Sequence, residues 1–185
     1  MTKAQLTVLA GPTAVGKGTV VAALTKRYPT LNVSVSATTR DPRPGELNGV
    51  HYYFVSAQEF DAMIDRGDML EWALVHGKNK YGTPRGPVDE ALAAGKPVLL
   101  EIDLAGARQV RTNRPDAQFI FLAPPSWEEL ERRLIGRGTE GPEEQARRLA
   151  TARVELEAAS EFDHVVINDD VERAVDELAR LIGLE

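Results

Sequence analysis

The strongest constraint on the fold is a glycine-bounded break between an apolar strand and an amphipathic helix. The stretch "LTVLAGPTAVGKGTVVAAL" begins with the apolar run Leu6–Ala10, which has the length of a buried strand. Gly11 and Gly16 then enclose a short turn, and Lys17 opens a segment with apolar residues at helical spacing. Strand, Gly-x4-Gly-Lys turn and helix in this order predict a P-loop, whose backbone N–H groups, helix dipole and lysine bind phosphate.

The residue after Lys17 departs from the usual P-loop pattern. A serine or threonine normally stands there and offers its hydroxyl to Mg²⁺, whereas this chain has Gly18 followed by Thr19. Because Mg²⁺ keeps most of its waters and binds through substrate phosphates, the phosphate site tolerates the loss. Thr19 either contacts the ion through water or is an ordinary residue at the start of a helix.

Short apolar runs alternate with amphipathic helical patterns, which predicts one α/β domain on a parallel sheet. The predicted core strands are Leu6–Ala10, Val33–Ser36, Val98–Asp103, Phe119–Leu122 and His164–Asn168. The predicted helices are Lys17–Arg27, Pro87–Ala94, Ala105–Thr112, Trp127–Ile135, Pro142–Ser160 and Val171–Ile182. Capping patterns at Ser126 and Asp169 support two of the helix starts.

Two segments interrupt this alternation. Residues 39–83 hold a Pro/Gly-rich loop, an Asn48-Gly49 hairpin turn, a short helix capped by Ser56, the run "MLEWALV" and the Gly-rich basic loop "HGKNKYGT". We expect them to form a subdomain that stands off the main sheet. The glycine-interrupted, arginine-rich stretch Arg132–Arg148 has the composition of a mobile lid.

Composition narrows the possible functions. The net charge of −6 disfavours a nucleic-acid-binding surface, and the absence of cysteine excludes disulfides and thiolate chemistry. His51, His76 and His164 have no metal-ligand spacing. No apolar run approaches the roughly 20 residues of a membrane span, and the N-terminus does not read as a signal peptide. We therefore expect a cytoplasmic protein without membrane or nucleic-acid partners, and the oligomeric state is left open.

The strand in "PVLLEIDLAG" ends in two carboxylates, Glu101 and Asp103, which strand alternation places on one face. Ligands of α/β proteins bind at the carboxyl ends of such strands. These residues therefore either act near Mg²⁺, through water and together with Thr19, or near a second ligand. The alternative is that they cap the following helix. No direct metal ligand is assigned.

The segment "SVSATTRDPRPGELNGVHYYF" closely resembles the nucleoside-monophosphate-binding region of guanylate kinases. The resemblance continues through "LEWALVHGKNKYGT", "LLEIDLAGARQV", "FIFLAPPSWEEL", "RLIGRGTE" and "VVINDD", in the family's order and over almost the whole chain. It implies a three-layer P-loop fold with a central, mostly parallel sheet, a small β-rich GMP-binding subdomain and a mobile lid. Its boundaries would be a core of about 1–35, 84–130 and 150–185, the GMP subdomain at about 36–83 and the lid at about 131–149.

The resemblance also implies the chemistry: an ATP:GMP phosphotransferase that uses Mg·ATP, makes GDP and ADP, and accepts dGMP as well. The ATP site would comprise Gly11, Pro12, Thr13, Ala14, Val15, Gly16, Lys17, Gly18, Thr19 and, near the adenine, Asn168. The GMP site would comprise Ser36, Arg40, Arg43, Tyr52, Glu71, Tyr81, Thr83 and Asp103, with Glu71, Thr83 and Asp103 reading the guanine. The catalytic cations would be Lys17, Arg40, Arg133, Arg137 and Arg148.

Two other functions fit parts of the pattern. A guanylate-kinase-like protein-interaction module keeps the fold without catalysis, but such modules typically lack the intact P-loop that stands here as Gly11, Gly16 and Lys17. A related sugar-phosphate kinase would have no use for the guanine readers in "LEW", "YGT" and "EID".

Overall fold

A computed structural model describes residues 3–136 and 138–185, so Arg137 lies outside the described residues. The strands are β1 Leu6–Ala10, β2 Asn32–Val33, β3 Ala37–Thr38, β4 Tyr53–Phe54, β5 Met69–Val75, β6 Asn79–Pro84, β7 Val98–Glu101, β8 Gln118–Ala123 and β9 His164–Ile167. The helices are α1 Lys17–Arg27, α2 Ala57–Asp65, α3 Arg85–Ala93, α4 Leu104–Asn113, α5 Trp127–Ile135, α6 Pro142–Glu157 and α7 Val171–Ile182. A 3₁₀ turn, Ala158–Glu161, follows α6.

The central sheet has the order β2-β7-β1-β8-β9, and every pairing between its neighbours is parallel. Successive side chains of β1 point to opposite faces of the central sheet. Leu9 joins the core formed with α1 and α7, whereas Val8 joins the core formed with α3 and α4. Helices therefore cover both faces, which gives the three-layer α/β architecture expected from the sequence and directs the carboxyl ends of the strands toward the P-loop.

The inserted segment forms a second sheet of order β4-β3-β6-β5, closed by α2 around Phe60, Met69 and Ala37. The hairpin predicted at Asn48-Gly49 is wrong, because β4 pairs with β3 in parallel rather than antiparallel fashion. The long hairpin is β5–β6, which pairs Val75 with Asn79 next to its turn. Most of the predicted loop "HGKNKYGT" is therefore strand.

Elements with strong local signals have the predicted bounds, and those without do not. The bounds of β1, α1, α5 and α7 are confirmed. The predicted strand Val33–Ser36 shrinks to Asn32–Val33, and β7 ends at Glu101 because Asp103 caps α4. Asp170, not Asp169, caps α7: its carboxylate accepts the Arg173 N–H at 2.9 Å.

Helices α5 and α6 form the region of the expected lid. They pack through Leu130, Leu134 and Ala152, and the Arg153 guanidinium lies 3.9 Å from the centre of the Trp127 ring. Of the helices in the described part of the chain, none is long and apolar enough to cross a membrane.

Candidate active site

The P-loop connects the end of β1 to the first turn of α1. Gly11 passes so close to β8 that a Cβ on it would lie 2.4 Å from the Leu122 carbonyl oxygen. Gly16 has φ 95°, and a Cβ there would lie 2.8 Å from Asn168 Nδ2. Both positions therefore require glycine, one for close approach and one for a left-handed backbone.

Lys17 lies in the centre of this loop, where its Nζ donates a hydrogen bond to the Gly11 carbonyl at 2.6 Å. Burial lowers the pKa of its ammonium group, and the charges of Glu155, Glu101 and Asp103 oppose that shift. The lysine is thus held at the phosphate position, with the two carboxylates predicted from β7 close enough to act on its charge.

A buried carboxylate forms a second centre. Glu71 on β5 is 9% exposed, and its Oε1 accepts a hydrogen bond of 2.8 Å from the hydroxyl of the fully buried Thr83 on β6. Burial raises the pKa of the Glu71 carboxyl, and the charge of Asp103 raises it further, while the bonds from Thr83 oppose the shift. A Cβ on Gly106 would lie 3.1 Å from both Glu71 Oε2 and Asp103 Oδ1, so the two carboxylates meet over this glycine.

Asp103 both caps a helix and acts electrostatically on two residues of the site. Its Oδ1 accepts the Gly106 N–H at 2.8 Å and so caps α4, which confirms the helix-cap interpretation of this residue. The same carboxylate acts on the charge of Lys17 and on the pKa of Glu71. The cap on α4 therefore does not exclude a role for Asp103 in binding.

Arg40, Tyr52 and Tyr81 form a third group. The Arg40 guanidinium lies 5.3 Å from the centre of the Tyr52 ring, and the rings of Tyr52 and Tyr81 meet edge to face at 6.0 Å. Glu46 binds both Nη atoms of Arg40, at 2.9 and 3.0 Å, and also accepts the Arg43 backbone N–H at 2.7 Å. These bonds from Arg40 and Arg43 lower the pKa of the Glu46 carboxyl to about 2.

Ser36 and Arg43 lie beside the group formed by Arg40, Tyr52 and Tyr81. The Ser36 carbonyl accepts the Tyr53 N–H at 2.8 Å, which places it next to Tyr52. The Arg43 side chain is exposed, so the arginine is near the group around Arg40 without joining it.

Two side chains from distant parts of the chain bind the same P-loop carbonyl. Arg133 Nη1 and Asn168 Nδ2 donate to the Val15 oxygen at 3.2 and 2.8 Å. Asn168 is 5% exposed, so its amide supports the loop, and its role near adenine stays a prediction.

A cavity of about 370 Å³ separates the P-loop from the expected lid. Thr13 and Ala14 line one side, and Arg133 and Arg148 line the other. Within the expected lid, Arg148 forms an ion pair with Glu140 at 2.5 Å. The predicted contribution of Arg137 falls outside the described residues.

Comparison with known proteins agrees with this geometry. The family model for guanylate kinase matches residues 3–185. A guanylate kinase from Leifsonia xyli subsp. xyli is 61% identical over 177 residues, covering 96% of this chain and 70% of that protein. One from Thermobifida fusca is 61% identical over 179 residues, covering 97% of this chain and 91% of that protein.

The chain belongs to the guanylate kinase family. It is therefore a member of a family of phosphotransferases.

Solved structures agree with membership of the guanylate kinase family. The crystal structure of guanylate kinase from Anaplasma phagocytophilum superposes with a TM-score of 0.74 at 31% identity, covering all of this chain and 87% of that one. A shikimate kinase from Bacteroides thetaiotaomicron, 14% identical with a TM-score of 0.50, covers 97% of this chain and 98% of its own and shares the fold alone.

The residues beside Lys17 would suit a magnesium ion that arrives with a nucleotide. Within residues 3–136 and 138–185, no cluster of three His, Cys, Asp or Glu side chains could hold a metal by itself. A Cβ on Gly18 would meet only Glu101 Oε1, at 3.9 Å, so the place of the usual hydroxyl is open and faces a carboxylate. Such a site fits an ion bound mainly by phosphates and water.

Sequence reasoning missed two carboxylates that the fold brings to the site. Glu46, in "RPGE", accepts hydrogen bonds from the Arg40 side chain and the Arg43 backbone. Its position three residues after Arg43 is the sequence signal that could have identified it. Glu155 on α6 had no local signal. It lines a cavity of about 340 Å³ with Thr13, and burial raises the pKa of its carboxyl against the opposing charge of Lys17.

Proposed function

We propose that the protein transfers the γ-phosphoryl group of Mg·ATP to GMP, and also to dGMP, giving ADP and the guanosine diphosphate. The observation that carries this proposal is the position of Asp103, whose carboxylate approaches Glu71 over Gly106 and whose charge also acts on Lys17 of the P-loop. The phosphate-binding loop and the hydrogen-bond acceptors of the buried Glu71 are thereby linked by one residue. Membership of the guanylate kinase family supports the same substrates.

The proposed base recognition follows from hydrogen-bond chemistry. Guanine presents N1–H and the exocyclic N2–H₂ as neighbouring donors, and one carboxylate accepts from both. Adenine presents an unprotonated N1 at that edge, so Glu71 would face a lone pair and remain buried without a partner. A site built on polar partners rejects such a base strongly. Thr83 and Asp103 would complete the contacts to the guanine.

The acceptor phosphate would bind at the group formed by Arg40, Tyr52 and Tyr81, with Ser36 and Arg43 beside it. Planar guanidinium groups match phosphate oxygens in pairs. The second pKa of a phosphate monoester is near 6, so GMP at neutral pH is mostly a dianion and attacks without a general base. This fits the group around Arg40, which would offer the phosphate cations and hydroxyl donors, while Glu46 orients Arg40 through both of its Nη atoms.

Lys17 and the lid arginines Arg133, Arg137 and Arg148 would stabilise the charge that spreads over the migrating phosphoryl group. Mg²⁺ would arrive with ATP and neutralise the phosphate oxygens, with Thr19, Glu101 and Asp103 reaching it through water. Arg133 binds the P-loop carbonyl of Val15, which supports a role next to the phosphates before any closure.

The proposal includes two moving parts on a rigid core. The core would be residues 1–35, 84–130 and 150–185, the GMP-binding subdomain residues 36–83, and the lid residues 131–149. Closure is needed because water in the open site would compete with GMP for the phosphoryl group.

A coupled assay of ADP production from Mg·ATP tests the proposal with GMP, dGMP, AMP, CMP, UMP, a ribose phosphate or no acceptor. We expect turnover with GMP and dGMP alone. Lys17→Ala should lower kcat by about 10²–10³-fold with the melting temperature retained. Response to the ribose phosphate alone would favour the sugar-phosphate kinase, and silence with every acceptor from a folded protein would favour the interaction module.

A further inference from the structure

Helix α4 binds the outer edge of β5 through two side-chain amides. Gln109 makes a paired contact with the backbone of Trp72: its Nε2 donates to the Trp72 carbonyl at 2.9 Å, and its Oε1 accepts the Trp72 N–H at 3.0 Å. One helical turn later, Asn113 Nδ2 donates to the Leu70 carbonyl at 2.8 Å. The two amides therefore hold the residues immediately before and after Glu71.

These contacts stand where a neighbouring strand would otherwise pair. β5 is the edge of the small sheet, and its other side pairs with β6, where Glu71 lies opposite Thr83. In an antiparallel strand the backbone groups of successive residues point alternately to the two sides. The groups of Leu70 and Trp72 point outward, and α4 supplies their partners.

The same helix begins at the second carboxylate of the site. Asp103 caps its N-terminus, and Gly106 is the point at which Glu71 Oε2 and Asp103 Oδ1 both approach within 3.1 Å of the place of a Cβ. Helix α4 is thus capped by Asp103 at its N-terminus, and its later turns bind the backbone on either side of Glu71 through Gln109 and Asn113. The helix thereby keeps two carboxylates near each other although the charge of Asp103 disfavours the ionised form of Glu71.

We propose that Gln109 and Asn113 are positioning residues for base recognition, which set the Glu71 carboxylate against Asp103 so that both face a purine with adjacent N–H donors. The inference rests on the proposed function and extends it to residues that never touch the nucleotide. A displaced carboxylate would lose hydrogen bonds to the base and leave the P-loop chemistry intact. The effect should therefore fall on GMP binding.

The test replaces each amide by the carboxylate of the same shape. Gln109→Glu sets a charged oxygen against the Trp72 carbonyl, and we expect the KM for GMP to rise about tenfold, with little change in kcat or in the KM for ATP. The ratio of kcat/KM for GMP over inosine monophosphate, which lacks the exocyclic amine, should fall. Asn113→Asp likewise sets a charged oxygen against the Leu70 carbonyl, but at an exposed position where water weakens the repulsion, so we expect the KM for GMP to rise only about threefold. This variant serves if Gln109→Glu folds poorly.

Gln58→Glu provides the matched control, because it makes the same chemical change at an exposed residue of α2 and should leave all constants at their original values. A double-mutant cycle separates positioning from packing. If the amides act through Glu71, Gln109→Glu should have little effect on GMP recognition in a Glu71→Gln background.

Additive effects in that cycle, or a lower melting temperature with an unchanged GMP-to-inosine ratio, would reduce both amides to structural supports and overturn the inference. Calorimetric titration of the original protein with GMP distinguishes this failure from that of the proposed function. If it binds GMP and the variants discriminate as it does, the positioning role alone is wrong. If it binds no GMP, the proposed function is wrong as well.

Discussion

The P-loop holds an alanine in a backbone conformation that glycine adopts more readily. Ala14 has φ 70°, which lies in the left-handed region. A residue with a Cβ is strained there by about 1–2 kcal/mol, and backbone strain of this kind clusters at active sites and ligand-binding segments.

Replacing Ala14 by glycine should therefore stabilise the folded chain. We expect Ala14→Gly to raise the free energy of unfolding by about 1 kcal/mol, since relief of strain exceeds the added entropy of the unfolded chain. Urea unfolding measures the change. Ala22→Gly, the same substitution on the exposed face of α1, should lower that free energy by about 1 kcal/mol, and equal signs for the two variants would contradict the argument.

Glu71 should show a conflict between stability and function. Its raised pKa means that, between its ordinary and its raised value, the folded chain binds more protons than the unfolded chain, so stability falls as pH rises through that window. Glu71→Gln removes this loss and keeps an acceptor for Thr83. We expect a higher melting temperature at neutral pH together with a KM for GMP raised at least about tenfold. Glu90→Gln, on the exposed face of α3, should change neither quantity, and an unchanged KM in Glu71→Gln would remove the guanine-reading role.

The pH dependence of kcat/KM for GMP should also reflect the protonation of Glu71. Guanine binding needs the ionised carboxylate, so kcat/KM for GMP should fall with decreasing pH as Glu71 takes up a proton at its raised pKa. Glu46 is not the source of this loss, because its carboxyl has a pKa of about 2 and stays ionised. The GMP phosphate also titrates, near pH 6. Only the limb due to Glu71 should disappear from the profile of Glu71→Gln; an identical profile would assign the whole decline to the nucleotide.

The hairpin β5–β6 depends on a glycine opposite Trp72. A Cβ on Gly82 would lie 2.6 Å from the Glu71 carbonyl oxygen and 2.9 Å from Trp72 Cβ, and neither backbone nor Cβ can move aside alone. This close approach carries Thr83 to Glu71 in the next register position. The strand pairing and the buried hydrogen bond are thus one unit.

Gly82→Ala should disrupt that unit while leaving the central sheet intact. We expect a loss of about 1–3 kcal/mol in the free energy of unfolding and a raised KM for GMP, because the strands must separate. Gly86→Ala, in the first turn of α3 with open space around it, should be neutral or stabilising. Hydrogen exchange would locate the effect: faster exchange confined to β5 and β6 agrees with the argument, and equal protection in both variants contradicts it.

Across the molecule, the P-loop is the point where separate elements converge. The Val15 carbonyl accepts from Arg133 at the end of α5 and from Asn168 after β9, and Glu155 of α6 lines a cavity together with Thr13 of the P-loop. The helices of the lid region therefore contact the phosphate site directly. Helix α4 makes the corresponding link to the small sheet through Gln109.

This arrangement predicts that both peripheral regions close when both substrates are present. Small-angle X-ray scattering should give a smaller radius of gyration with GMP and a non-hydrolysable ATP analogue together than with either nucleotide alone, since each ligand draws in a different region. Lys17→Ala should weaken the contraction due to the ATP analogue and preserve that due to GMP. An unchanged radius with both ligands would show that the site is already closed.

Much of this architecture follows from local sequence signals. The bounds of β1, α1, α5 and α7 could be predicted because apolar periodicity and the boundary residues act over a few positions. The P-loop could be predicted for the same reason, since its glycines, its lysine and the flanking elements are contiguous. The family resemblance supplied the candidate residues of the GMP site.

The remaining features depend on contacts between distant parts of the chain. The two-residue strands β3 and β4 exist only because the small sheet forms around them, and the parallel pairing between them could not be read from Asn48-Gly49. The meeting of Glu71 with Asp103, the effect of the Glu155 charge on Lys17 and the amide contacts of Gln109 with Trp72 involve residues that are 32, 138 and 37 positions apart. Periodicity and capping report only on near neighbours, so such contacts arise when the packed layers bring the segments together.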